Sequence, residues 1–213
     1  MNLKDAFGLE FVVFERDIVG RLAKVRPMKM FPPPRPVEVH HPGLRTLHWL
    51  MAFVIFVALG LGIWATRLPR EGLRDEVLFV HKSFGITALA LIVLRVVVRV
   101  AAGAPAYVVP LGRLVRAASK SAHLLLYALM IAMPVSGYIM SSAGGYDVSF
   151  FGLITLPSIV PHDKALAEAA SWAHFIFAWA IGIALVLHLS GVVWHALVRR
   201  DTVFARMWPR AAR

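Results

Sequence analysis

Six of the chain's nine histidines fall in or at the ends of long apolar runs: His48, His81, His123, His174, His188 and His195. An ionisable ring in hydrocarbon is costly, so each marks a functional position by default. His174 and His188 are 14 residues apart; on one helix they differ by about 40° in azimuth and about 21 Å along the axis. They therefore share a face and sit near opposite leaflets. Ala178, Ala184 and Gly191 lie three or four positions from one or the other, which leaves room for a flat group to approach. The chain has no cysteine, excluding disulfides, thiolate-ligated clusters, cysteine-bound zinc and C-x-x-C-H attachment of a haem. The apolar runs contain no Asp or Glu, which argues against a proton relay or a cation transporter. Neutral imidazoles without carboxylate partners suit the axial positions of haem iron. Met51, Met130, Met133 and Met140 show no paired placement and read as packing residues.

The elements that must position these rings are membrane spans. Of 213 residues, 59% are hydrophobic and 16% charged, with a mean hydropathy of +0.69, more apolar than one soluble core requires. The apolar residues come in blocks of about 20, enough to cross roughly 30 Å of hydrocarbon. Four spans are expected, at about 47–66, 78–100, 121–142 and 171–198. Trp49 and Trp64 flank the first and Trp172 and Trp194 the fourth, at the depth indole prefers. The net charge of +11 does not imply nucleic acid, because the basic residues flank the apolar blocks instead of forming one patch. Eighteen Lys and Arg lie in the N-terminal segment, the second connection and the tail, against five on the other side. Both termini are therefore expected in the cytoplasm.

The remaining segments are shorter stories. Residues 1–41 form an N-terminal extension: a mixed stretch able to make an amphipathic surface helix, then Phe31-Pro32-Pro33-Pro34-Arg35-Pro36, which precludes regular helix. Met28 and Met30 are alternative start points, and no secretory signal opens the chain. Residues 42–213 form the four-helix domain. Between the third and fourth spans, Phe150, Phe151, Leu153 and Ile154 suggest a segment lying on the membrane or capping the bundle, followed by a short helix over 163–170.

Antiparallel succession sets the depth of each ring. His81, at the start of the second span, belongs to the outer side and pairs with His174. His48, at the start of the first, is inner and pairs with either His188 or His195, which depth alone does not separate. His195 sits beside Trp194 near the interface, which favours His188. His40, His41 and His162 lie outside the spans and read as surface residues.

These residues also carry a resemblance. Leu44-Arg45-Thr46-Leu47-His48-Trp49-Leu50, Val80-His81-Lys82-Ser83-Phe84-Gly85, Ala122-His123-Leu124-Leu125-Leu126-Tyr127, Met133-Pro134-Val135-Ser136-Gly137-Tyr138 and Trp172-Ala173-His174 together resemble the bacterial cytochrome b561 family. With Val148-Ser149-Phe150-Phe151-Gly152 and the tail around Arg200-Asp201-Thr202 and Met207-Trp208-Pro209, the likeness covers about residues 42–209. It implies an all-α integral membrane four-helix bundle of the inner membrane with two non-covalent haem b groups within the bundle. The resemblance favours axial pairs His48 with His188 and His81 with His174. One branch of the family resembles a superoxide:ubiquinone oxidoreductase, with superoxide oxidised at the outer face and ubiquinone reduced near the inner haem.

Bis-histidine ligation leaves no open iron position, so electrons are expected to pass at the haem edge. His123 and His195, both at the inner end, are the expected quinone contacts. Lys82 beside His81 either attracts an anionic donor or snorkels to the surface. Arg95 and Arg99, one turn apart, meet haem propionates or, with slight preference, lipid phosphates. The partners expected are membrane lipid, quinone, and superoxide or a periplasmic redox protein. The competing reading is a haem-bearing subunit serving a separate dehydrogenase or carrier; a homodimer is compatible with both.

Overall fold

A computed structural model describes residues 39–103 and 112–208; the expected N-terminal surface helix and Pro-rich stretch lie outside these. Four long helices run up and down: α1 (Pro42–Ala65), α2 (Leu73–Ala102), α3 (Arg113–Ala143) and α4 (Lys164–Val193), which continues as a π-helical segment Trp194–Arg199. All four are long and apolar enough to cross a membrane. Each begins several residues before the expected span, and side-chain caps mark the starts of α1 and α4. His41 caps α1 by accepting the Gly43 N–H at 3.2 Å, with Pro42 in the first turn where its missing N–H costs nothing. Asp163 caps α4 by accepting the Leu166 N–H at 3.0 Å. The short helix expected over 163–170 is thus the first two turns of α4. Asp75 and Glu76 in the first turn of α2 and Arg99 in its last complement the helix dipole.

The burial pattern is that of a protein dissolved in lipid. On α1, Leu44, Leu47, Met51 and Val54 form one buried stripe, while Leu50, Phe53, Phe56 and Ile63 face out. On α4, Ile181 and Ala184 are buried, whereas Trp179 is 64% exposed and Ile176, Ile183, Val186 and Leu187 are also outward. The largest buried cluster joins α3 to α4 through Leu126, Leu129, Ile181 and Ala184. Packing is unequal: α1 lies along α2 and α3 along α4, α2 also touches α3, and α1 makes at most marginal backbone contact with α4. The bundle is two helical hairpins with an open seam between α1 and α4.

The α3–α4 connection adds a small β-hairpin to the all-α bundle. Val148–Phe150 (β1) pairs antiparallel with Ile154–Leu156 (β2). The turn between them closes with Leu153 N–H on Phe150 O at 2.9 Å and places Phe151 at φ 49° and Gly152 at φ 73°, both left-handed within the three-residue connection between the paired Phe150 and Ile154. A phenylalanine there is strained. Ser83 of α2, fully buried, holds it by accepting the Phe151 N–H at 2.9 Å, with its hydroxyl also 3.0 Å from Ser149 O. The hairpin therefore caps the bundle, one of the two placements expected, while Leu153 and Ile154 point outward.

Candidate functional site

The end carrying the start of α1 and the end of α4 is termed inner, following the charge asymmetry. His48 lies on the inward stripe of α1, between Leu47 and Met51, and its ring centroid is 6.3 Å from that of His188 on α4, with ring planes at 67°. Towards the other end, His81 of α2 and His174 of α4 are 6.1 Å apart at 85°. Each ring is half-buried. Two imidazoles that held one metal ion between them, each bonded at about 2.0–2.1 Å, would have ring centres about 6 Å apart. Both pairs have this spacing.

The outer pair is built by one device used twice. His81 Nδ1 meets Ala58 O of α1 at 2.9 Å, and four residues on, a Cβ at Gly62 would lie 3.1 Å from His81 Cε1. His174 Nδ1 meets Met133 O of α3 at 3.0 Å, and four residues on, a Cβ at Gly137 would lie 2.9 Å from His174 Cε1. In each case a helix carbonyl takes the Nδ1 proton and the glycine one turn later makes room for the ring. Ser136 Oγ, 3.2 Å from His174 Nδ1 and 2.8 Å from Met133 O, closes the second cluster. A ring whose Nδ1–H donates to a carbonyl presents an unprotonated Nε2, the ligating form.

The inner pair is surrounded differently. His123 of α3 brings its ring to 5.3 Å from His188, at 89°. Its Nδ1 lies 2.6 Å from Ser119 O of its own helix. Arg95 turns into the bundle: Nε donates to Tyr127 OH at 3.1 Å and Nη1 to Leu44 O at 2.9 Å, tying α2 to α3 and α1. The half-buried guanidinium is thus held among three helices. Arg99 Nη1 is 3.5 Å from His40 Nδ1. Burial, followed by the positive charges of Arg99, Arg206 and Arg95, pushes the His40 imidazole down to about 4. The inner end is thus cationic around a neutral imidazole.

His195 is not part of either pair. Its Nδ1 bonds Asp201 Oδ2 at 2.7 Å, where Arg199 Nε also arrives at 3.4 Å. Lys82, beside His81, donates to Asp147 O at 2.9 Å and lies over the Tyr146 ring, 5.7 Å from its centre. It is anchored to the outer loop and does not extend freely to the surface.

Among the described residues no group of three or more His, Asp or Glu side chains converges to hold a bare metal ion. Two opposed imidazoles would supply only two ligands to a shared ion, and the inner pair faces across the seam between α1 and α4. A sequence profile of prokaryotic cytochrome b561 matches residues 39–210. The chain belongs to the prokaryotic cytochrome b561 family. It is 32% identical over 161 residues to "Cytochrome b561 homolog 2" of Escherichia coli (strain K12), covering 75% of this chain and 86% of that protein. It is 25% identical to "Probable superoxide oxidase CybB" of Yersinia pestis over 77% of this chain and 92% of that protein. To "Cytochrome b561 homolog 1" of Escherichia coli (strain K12) it is 26% identical, over 77% and 93%. As a member of this family the protein is a multi-pass component of the bacterial inner membrane, takes part in electron transfer and binds haem b. The donor set fits that group: neutral imidazoles, no thiolate, and glycine-lined recesses for the outer rings.

Sequence reasoning overlooked Gly62, Gly137, Ala58, Met133 and Ser83 as working parts. Only the glycines left a trace, since a glycine inside a helix costs about 1 kcal/mol and asks for a packing reason.

Proposed function

We propose that this cytochrome holds two b-type haems, one between His48 and His188 and one between His81 and His174, and carries electrons from the outer face of the membrane to the quinone pool. The observation that supports this reading is the pair of ring separations, 6.3 and 6.1 Å, at two levels of one bundle, with α4 contributing to both. When bound, the haems supply one-electron exchange at their edges. The protein's own part is to keep each imidazole neutral and aimed. Ala58 and Met133 carbonyls accept the Nδ1–H of His81 and His174, and bis-histidine ligation would leave substrates no position on the iron.

Superoxide is the outer donor in this reading. Each superoxide surrenders one electron and leaves as dioxygen; ubiquinone takes two electrons and two protons to become ubiquinol. Lys82 gives the outer end a cation beside His81, partly offset by the nearby carboxylates of Asp147 and Asp75. At the inner end, His123 is the better-placed quinone contact, because its ring adjoins His188 while His195 is committed to Asp201. Arg95 and Arg99 supply the positive charge for the inner haem's propionates.

The absorption spectrum and haem-to-protein ratio of the purified chain test the core of this proposal. About two haems per chain with a low-spin bis-imidazole spectrum is expected; no Soret band after haem-sufficient expression overturns it. Rapid mixing with superoxide and a soluble quinone tests the donor: haem reduction followed by quinol formation is expected, and an inert haem refutes superoxide as donor.

A further inference from the structure

Beyond α4 the chain turns back on itself. The π-helical segment ends with Arg200 in the left-handed region at φ 51°, its N–H on His195 O. Asp201 then fastens the root of the tail: Oδ2 to His195 and Arg199, Oδ1 to the Val203 N–H at 3.1 Å, and its own N–H to His195 O at 3.2 Å. From this anchored root the tail crosses to the start of α1. Arg206 O receives the His40 N–H at 3.2 Å, Met207 O receives Trp49 Nε1–H at 2.9 Å, and Trp208 O receives Arg45 Nη1 at 3.0 Å. The Trp208 ring stands against Trp49 at 5.5 Å, and Trp49 against His48 at 5.6 Å.

These contacts matter because α1 and α4 hardly touch. The outer rings are each braced by a carbonyl and a glycine on a neighbouring helix. Among the described residues no carbonyl bond braces His48 or His188. Something else must fix the distance between the helices that carry them. We propose that residues 201–208 are a strap joining the end of α4 to the start of α1, and that Trp49 and Trp208 are positioning residues for His48, setting its distance and orientation toward His188. The inference rests on the reading that His48 and His188 hold a haem. The strap acts on the inner site alone, since all its contacts lie at that end.

The test uses the full chain in membranes and in detergent. Trp49→Phe keeps a ring but loses the donor to Met207 O; Trp208→Leu removes the ring pair. Both are expected to leave the outer haem's potential and low-spin electron paramagnetic resonance signal in place. They should shift those of the inner haem and speed its loss to an apo-globin acceptor about tenfold. A wild type with two haems and variants with unchanged inner signal and loss rate overturns the strap. A wild type lacking the inner haem overturns instead the reading beneath it. Because the chain has no cysteine, a haem-independent readout is available: the pair His40→Cys and Arg206→Cys should close a disulfide under mild oxidation. Closing it in the Trp208→Leu background should restore slow inner-haem loss. Failure of the pair to close, or closure without rescue, overturns the proposal.

Discussion

A Cβ on residue 137 would lie 2.9 Å from Cε1 of His174, nearer than packed carbons approach. Gly137→Ala must therefore push the ring from its recess against α3. Haem content is expected to fall to about one per chain, with the surviving haem showing the inner potential. Gly62→Ala, where the corresponding gap is 3.1 Å, should do the same more mildly. Redox titration with a haem assay checks both, and an unaltered outer haem in Gly137→Ala would refute the recess.

The choice of inner ligand is equally open to test. His188→Ala should abolish the inner haem and spare the outer one, while His195→Ala should retain both, since His195 is bonded to Asp201. Retention of two haems by His188→Ala with loss of one in His195→Ala would reverse the assignment.

Ser83 predicts an effect on stability without a direct effect on ligation. Its hydroxyl accepts the Phe151 N–H and meets Ser149 O while fully buried. Ser83→Ala strands these groups and should cost about 1–3 kcal/mol. Faster proteolysis within Val148–Leu156 is the expected readout, with the haem spectrum preserved.

His40 predicts a pH dependence. Its imidazole titrates near 4 in the folded protein against 6.5 ordinarily, under burial and the charges of Arg99, Arg206, Arg95 and His123. Between those values the unfolded chain binds the extra proton, so stability is whole above about pH 6.5 and declines as pH falls toward about 4. Thermal melts from pH 8 to pH 4 should fall more steeply for the wild type than for His40→Asn; parallel curves would exclude the effect.

What the sequence disclosed, and what it withheld, divides along physical lines. Span number and the outer pairing of His81 with His174 follow from hydropathy and helical periodicity, which act locally. The same arithmetic left His48 undecided between His188 and His195, because depth along a helix says nothing about rotation toward a distant neighbour. Arg95 was expected to lean toward lipid phosphate, since its contacts with Tyr127 and Leu44 join three helices and have no sequence signature. The β1–β2 hairpin escaped notice because Phe151 occupies a turn position usually given to Asn or Asp, and its stability is borrowed from Ser83, 68 residues away.

The open seam between α1 and α4 has a consequence for how the molecule is made. The hairpin of α1 and α2 carries His48 and His81; the hairpin of α3 and α4 carries His174 and His188. Neither half owns both members of any pair, so anything gripped by a pair can be captured only after the second half has entered the bilayer. A cofactor held by either pair would then add one more link between two hairpins that already meet through α2 and α3.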